Sequence, residues 1–179
     1  MQNFSRRGFQ LRSASFETRL AYSGFVWLMV PAVASLLALS VGRMGVDPAG
    51  IAAFYRGGTD ELSFPKTFWQ LAEESHFHLF SVPVVVLILS HLLVATPVST
   101  RVRVWLTSGL YLGALLEVAG PWAVRYLAAS CAYLLLLGWG ALALSMLLVV
   151  VVSLLSMWAP DGWISPWGAQ PRPARGKPE

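Results

Sequence analysis

Four long apolar runs, separated by shorter polar stretches, set the pattern of the chain. The first lies at about 22–41, the second at about 76–96, the third at about 104–126 and the fourth at about 128–157, the last without a single charged residue. A helix needs about 20 apolar residues to cross the hydrocarbon core of a bilayer, so each run is long enough for one transmembrane span. The pattern predicts an all-α polytopic membrane protein. Its single transmembrane domain would cover residues 1–158, followed by a proline-rich tail over 159–179. Pro31 and Pro83 interrupt the first and second runs, where bends are expected. Ala34, Ala38 and Gly42 recur every four residues in the first run and place small side chains on one face, where another helix can approach closely.

The longest polar connection, at 43–70, has helix signals of its own. Asp47 followed by Pro48 reads as an N-cap with proline at the first helical position, starting a short helix through Tyr55 that Arg56-Gly57-Gly58 ends. Ser63 and Pro65 suggest a second start. There Phe64, Phe68, Leu71 and Ala72 would form an apolar face on the membrane surface, running into the second span. Trp158, Trp163 and Trp167 follow the fourth run as interfacial anchors.

Composition agrees with this reading. The 179 residues are 56% apolar and only 12% charged, and the mean hydropathy is +0.60, so lipid is the expected main solvent. The net charge of +4 comes from 13 basic against 9 acidic residues. No basic stripe interleaved with aromatics and no phosphate-cradling glycine loop occurs, which argues against a nucleic-acid partner. With the N-terminus inside, the inner segments hold Arg6, Arg7, Arg12, Arg19, Arg101, Arg103, Arg172, Arg175 and Lys177, against four basic residues outside. That bias predicts both termini in the cytoplasm of a bacterial inner membrane, with the 43–70 loop in the periplasm. The lone cysteine, Cys131, lies in an apolar run. It rules out an intrachain disulfide and a CxxCH haem attachment, and reads as a small buried side chain.

Ionisable side chains inside a span are costly and therefore point to function. Four stand out: His76, His78, His91 and Glu117. His76 and His91 are 15 residues apart on one helix, a rise of about 22 Å with a rotation of about 60°. Glu74 and His78 are four apart and share a face, while His76 and His78 point to opposite sides of a regular helix. Glu74, His76 and His78 are therefore candidate metal ligands, and equally polar residues capping a helix entry at the membrane interface. Glu117 follows Gly109 and Gly113 at four-residue steps and precedes Gly120. Those glycines predict a close helix contact with Glu117 turned into the bundle, where it would be protonated or paired with a histidine or Arg125. A proton relay, a quinol-binding carboxylate, a partner for a histidine ligand and a purely structural hydrogen bond are all open to it. No Ser/His/Asp arrangement, HExxH motif or pair of catalytic acids outside the membrane suggests a hydrolase.

The segment His76-Phe77-His78-Leu79-Phe80-Ser81, with His91 downstream, Phe54-Tyr55-Arg56-Gly57 before it and Glu117-Val118-Ala119-Gly120-Pro121-Trp122 after it, resembles a family of small bacterial four-helix membrane proteins. In histidine spacing alone, the second span is also similar to membrane b-type cytochromes, which use such pairs to hold two haems. That resemblance implies haem b at His76, His78 or His91. The second ligands would come from Met29 or Met146, a symmetric homodimer or another subunit. The expected function is a membrane subunit of an electron-transfer complex, binding haem b or quinone through the second helix and Glu117. Its partners would be membrane lipid and other membrane or periplasmic subunits, a c-type cytochrome among them. The alternatives are a noncatalytic assembly subunit and a His/Glu metal-binding membrane protein.

Overall fold

The computed structural model describes residues 10–58 and 64–160. Among these residues are one 3-10 turn, Leu11–Ser13, and five α-helices: α1 (Phe16–Met44), α2 (Pro48–Arg56), α3 (Phe68–Val94), α4 (Thr100–Trp122) and α5 (Cys131–Trp158). A π-helical turn, Ala123–Leu127, continues α4. No strand occurs among the described residues. Helices α1, α3, α4 and α5 are each long and apolar enough to cross a membrane. Helices α1 and α3 are longer than the apolar runs alone implied, because each begins in polar residues ahead of its run, whereas α5 starts three residues later than its run. The anchors expected at Trp163 and Trp167, the start at Ser63 and the tail prolines from Pro166 onward lie outside the described residues.

Local chemistry sets where the helices begin and end. Ser15 accepts from the Thr18 amide and opens α1, and Gly45, at φ +71°, closes it in a conformation that side chains disfavour. The Asp47 carboxylate accepts from the Gly50 amide at 2.8 Å with Pro48 at the first position, so α2 starts where its sequence signal lies. The start of α3 differs from expectation. Thr67 and Gln70 form a reciprocal capping box, with Thr67 N–H donating to Gln70 Oε1 at 2.9 Å, and the helix begins at Phe68. From there α3 runs unbroken into the membrane and through Pro83, as α1 runs through Pro31.

The α4–α5 hairpin forms the tightest part of the bundle. A Cβ placed on Gly113 would lie 2.7 Å from both the Cβ and the backbone nitrogen of Leu142, and one on Gly120 would lie 2.7 Å from Leu135 Cδ1. At Gly109 it would collide with Ser145 Oγ, and from the facing helix a Cβ on Gly138 would meet Leu116 Cβ. The glycine pattern of the third span thus marks an internal contact, as its spacing suggested. The matching expectation for α1 fails within the protomer. Ala34, Ala38 and Gly42 are exposed, and α1 packs instead through Val26 and Val33, one heptad apart, with Phe25, Met29 and Val30 beside them.

Helix α2 folds over one end of the bundle and buries Ile51 and Tyr55 against Leu71, Val124, Ala132 and Leu135. Leu71 joins that core while Phe64 and Phe68 stay exposed, which divides the face expected to lie on the membrane. The lid is held by charge-assisted bonds to carbonyls. Arg56 Nη1 donates to Val124 O at 3.0 Å and to Arg125 O at 3.3 Å, and Arg125 Nε donates to Lys66 O at 2.9 Å. Carbonyls of the π turn, set off the regular α ladder, are among these acceptors. At the other end of the bundle, Leu11 is fully buried and its amide donates to Ala95 O at 3.0 Å.

Candidate functional site

Directly beneath α2 lies a cavity of about 160 Å3 to which all five helices contribute. Its polar lining is Ser40 and Arg43 from α1, Tyr55 from α2, Glu74 and His78 from α3, and Glu117 from α4, with Trp139 of α5 beside them. A second cavity of about 130 Å3 lies deeper between α1 and α3, lined by apolar side chains including Met29, Val82, Val85 and Met146. Glu117 belongs to both linings. The carboxyl group therefore stands where a polar chamber gives way to an apolar one.

The glycine contact explains why Glu117 sits there. Gly113 and Gly120 hold α4 against α5, which turns the α4 face carrying Glu117 inward and leaves that residue only 5% exposed. Its Oε2 is buried without a hydrogen-bond partner. Pro121, four residues on and also in the cavity lining, has no N–H to give the Glu117 carbonyl, so that carbonyl loses its usual helical donor as well. His78 and Glu74 are within electrostatic reach of the carboxyl group. Tyr55 is 2% exposed. Burial away from water holds its phenol well above the ordinary tyrosine range, and the carboxylates of Glu74 and Glu117 push it further the same way.

The structure sorts the histidines of α3 by face. His78 lines the cavity with Glu74, one turn earlier. His76, two residues away and so about 200° around the helix, is exposed and packs its ring 4.9 Å from that of Phe80. His91 is also exposed, with Nδ1 2.9 Å from Leu87 O. His76 and His91 thus share the outer surface of α3, while Met29 and Met146 line the inner apolar cavity. A haem held by His76 or His91 would need its second ligand from another chain. His78 faces a chamber that offers no second imidazole. Glu74 and His78 share a face without His76, and among the described residues no group of three or more His, Cys, Asp or Glu side chains is arranged to hold a metal ion. Arg125 is committed to Lys66 O and to the ring of Tyr126, 5.1 Å away, and does not pair with Glu117.

Sequence reasoning missed Arg43, Tyr55 and Ser40 as lining residues. Arg43 looked like an orientation charge at the end of a span. Tyr55 looked like the last residue of a loop helix, although its four-residue step from Ile51 already defined a face to bury. Residues 45–162 match a protein family described as a transmembrane helical domain. No curated protein and no solved structure matches the chain.

Proposed function

We propose that this chain, which belongs to that family of transmembrane helical domains, is the membrane subunit of an electron-transfer complex whose Glu117 cavity binds the head of a quinone or quinol. The observation that carries the reading is the position of Glu117, a buried carboxyl group with one oxygen unpartnered, where a polar cavity meets an apolar one. A buried polar atom without a partner is costly. An amphipathic ligand with a ring hydroxyl or carbonyl and an apolar tail would satisfy Oε2 and fill both chambers. Small-molecule sites are commonly apolar clefts with a few convergent polar groups. Here the polar groups would be Glu117, His78 and Tyr55, and Trp139 would pack against the ring.

In this reading the chain binds and orients the quinol and accepts its protons. Glu117 takes a proton from the ring hydroxyl, and His78 and Glu74 carry it toward the α2 end. The electrons leave to a one-electron carrier on a partner subunit, such as a c-type haem. The excess of arginine at the opposite end supports an α2 end that faces the periplasm of a bacterial inner membrane, and the protons would be released there. Haem b between the outer histidines of α3 and a second chain is compatible with this function but not required by it.

Titration of the detergent-purified protein with a short-chain quinol, kept reduced under anaerobic conditions and followed by tryptophan fluorescence quenching, tests the reading. Binding should saturate, and Glu117→Gln or His78→Ala should each weaken it about tenfold, the scale of one lost hydrogen bond to a charged group. Equal quenching of the wild type and both variants would refute it.

A further inference from the structure

At the end of the bundle opposite α2, α1 and α5 part to form a groove of about 700 Å3, within the range of about 300–1,000 Å3 typical of small-molecule sites. Leu20, Trp27, Leu154 and Trp158 form its walls. Gly24 also lines it, and a Cβ there would meet nothing within 4 Å, so the groove is open down to the α1 backbone.

The mouth of the groove is built. Trp158 Nε1 donates to Ser23 Oγ at 2.9 Å, which fixes the indole across the end of the groove. The Arg19 guanidinium stacks over that indole, 4.9 Å from its centroid, while Arg19 Nη1 donates to Met157 O at 3.1 Å. A carbonyl and a ring hold the guanidinium in place, and among the described residues no carboxylate pairs with it. Arg101 and Arg103 lie at the same end of the bundle, and among the described residues Glu17 is the one acid there.

We propose that this groove is a binding site for one anionic phospholipid, with an acyl chain along the apolar trough and the phosphate at Arg19. The charge order carries the assignment. An apolar trough with the Arg19 guanidinium held at its end, where a headgroup layer lies, complements a lipid chain attached to an anionic head. The site is at the far end of the molecule from Glu117 and depends on none of the reasoning about that cavity.

Native mass spectrometry of the full-length protein in mild detergent, offered phosphatidylglycerol or phosphatidylcholine, tests the assignment. The wild type should retain one phosphatidylglycerol per chain in preference to phosphatidylcholine. Gly24→Leu, whose Cβ would meet no protein atom within 4 Å and whose side chain would occupy the trough, should abolish retention of both lipids. Gly42→Leu, placed on the same helix in equally open space but outside the groove, should bind as the wild type does. Arg19→Gln should keep the lipid and lower the headgroup preference about fivefold, the effect of removing one basic side chain near an anionic surface. Retention by Gly24→Leu equal to the wild type, or an unchanged headgroup preference in Arg19→Gln, would overturn the proposal.

Discussion

Tyr55 shows how a single side chain couples the lid to the site. Its phenol is buried beneath α2 and faces the cavity carboxylates, so its neutral form is favoured over the tyrosinate. The sign of the pH dependence follows. The unfolded chain releases the tyrosine proton near pH 10 while the folded chain keeps it, so the contribution of Tyr55 to stability is intact below about pH 10 and falls as pH rises further. Thermal unfolding between pH 8 and pH 12 should show a loss of Tm in that window that Tyr55→Phe reduces. An identical alkaline loss in the variant would place the phenol in water. Glu117 could be found from sequence because a carboxylate in an apolar span is rare. Tyr55 and Arg43 could not, because their roles depend on α2 folding back over the bundle rather than on their neighbours in the chain.

Among the helices, the α4–α5 contact positions the site. Its close approach is written in Gly109, Gly113 and Gly120, and the structure shows why larger residues are excluded: at Gly113 the obstacle includes the backbone of α5, which cannot rotate aside. Gly113→Leu should cost about 3 kcal/mol by overpacking, which for a chain of this size lowers Tm by about 10 °C. Differential scanning fluorimetry measures this directly, and a Tm equal to the wild type would mean that the helices separate without cost. The same rule of small residues at four-residue steps misplaced the face of α1. Spacing identifies a surface that permits close approach, and says nothing about whether the neighbour lies in the same chain. The start of α3 was misread for a different reason. The Thr67–Gln70 capping box was present in the sequence, but Ser63 and Pro65 offered a competing start a few residues earlier.

For the whole molecule, the four spans were legible because lipid imposes a length and an apolar composition on any helix that crosses it. The outward set of each span was not legible, since an apolar helix in lipid has no polar face to distinguish inside from outside. This is why the histidines of α3 could be assigned to faces relative to one another but not to the interior. The structure brings His78, Glu74 and Glu117 together and leaves His76 and His91 on the outer surface, which favours a ligand held by Glu117 over a haem held within the protomer. The two ends then differ in kind. The α2 end carries a mixed-charge lid over a polar cavity, and the other end carries Arg19 beside an apolar groove.

Glu117 as the polar anchor of a quinone site is the central claim, and the most direct measurement is the quinone content of the protein purified from its native membrane in mild detergent, for the wild type and for Glu117→Leu. The wild type should carry about one extractable quinone per chain, as expected for a single site filled from the membrane pool, and the variant, with an apolar side chain between the two chambers, should carry almost none. Equal quinone in the two preparations, or none in the wild type, would contradict the account.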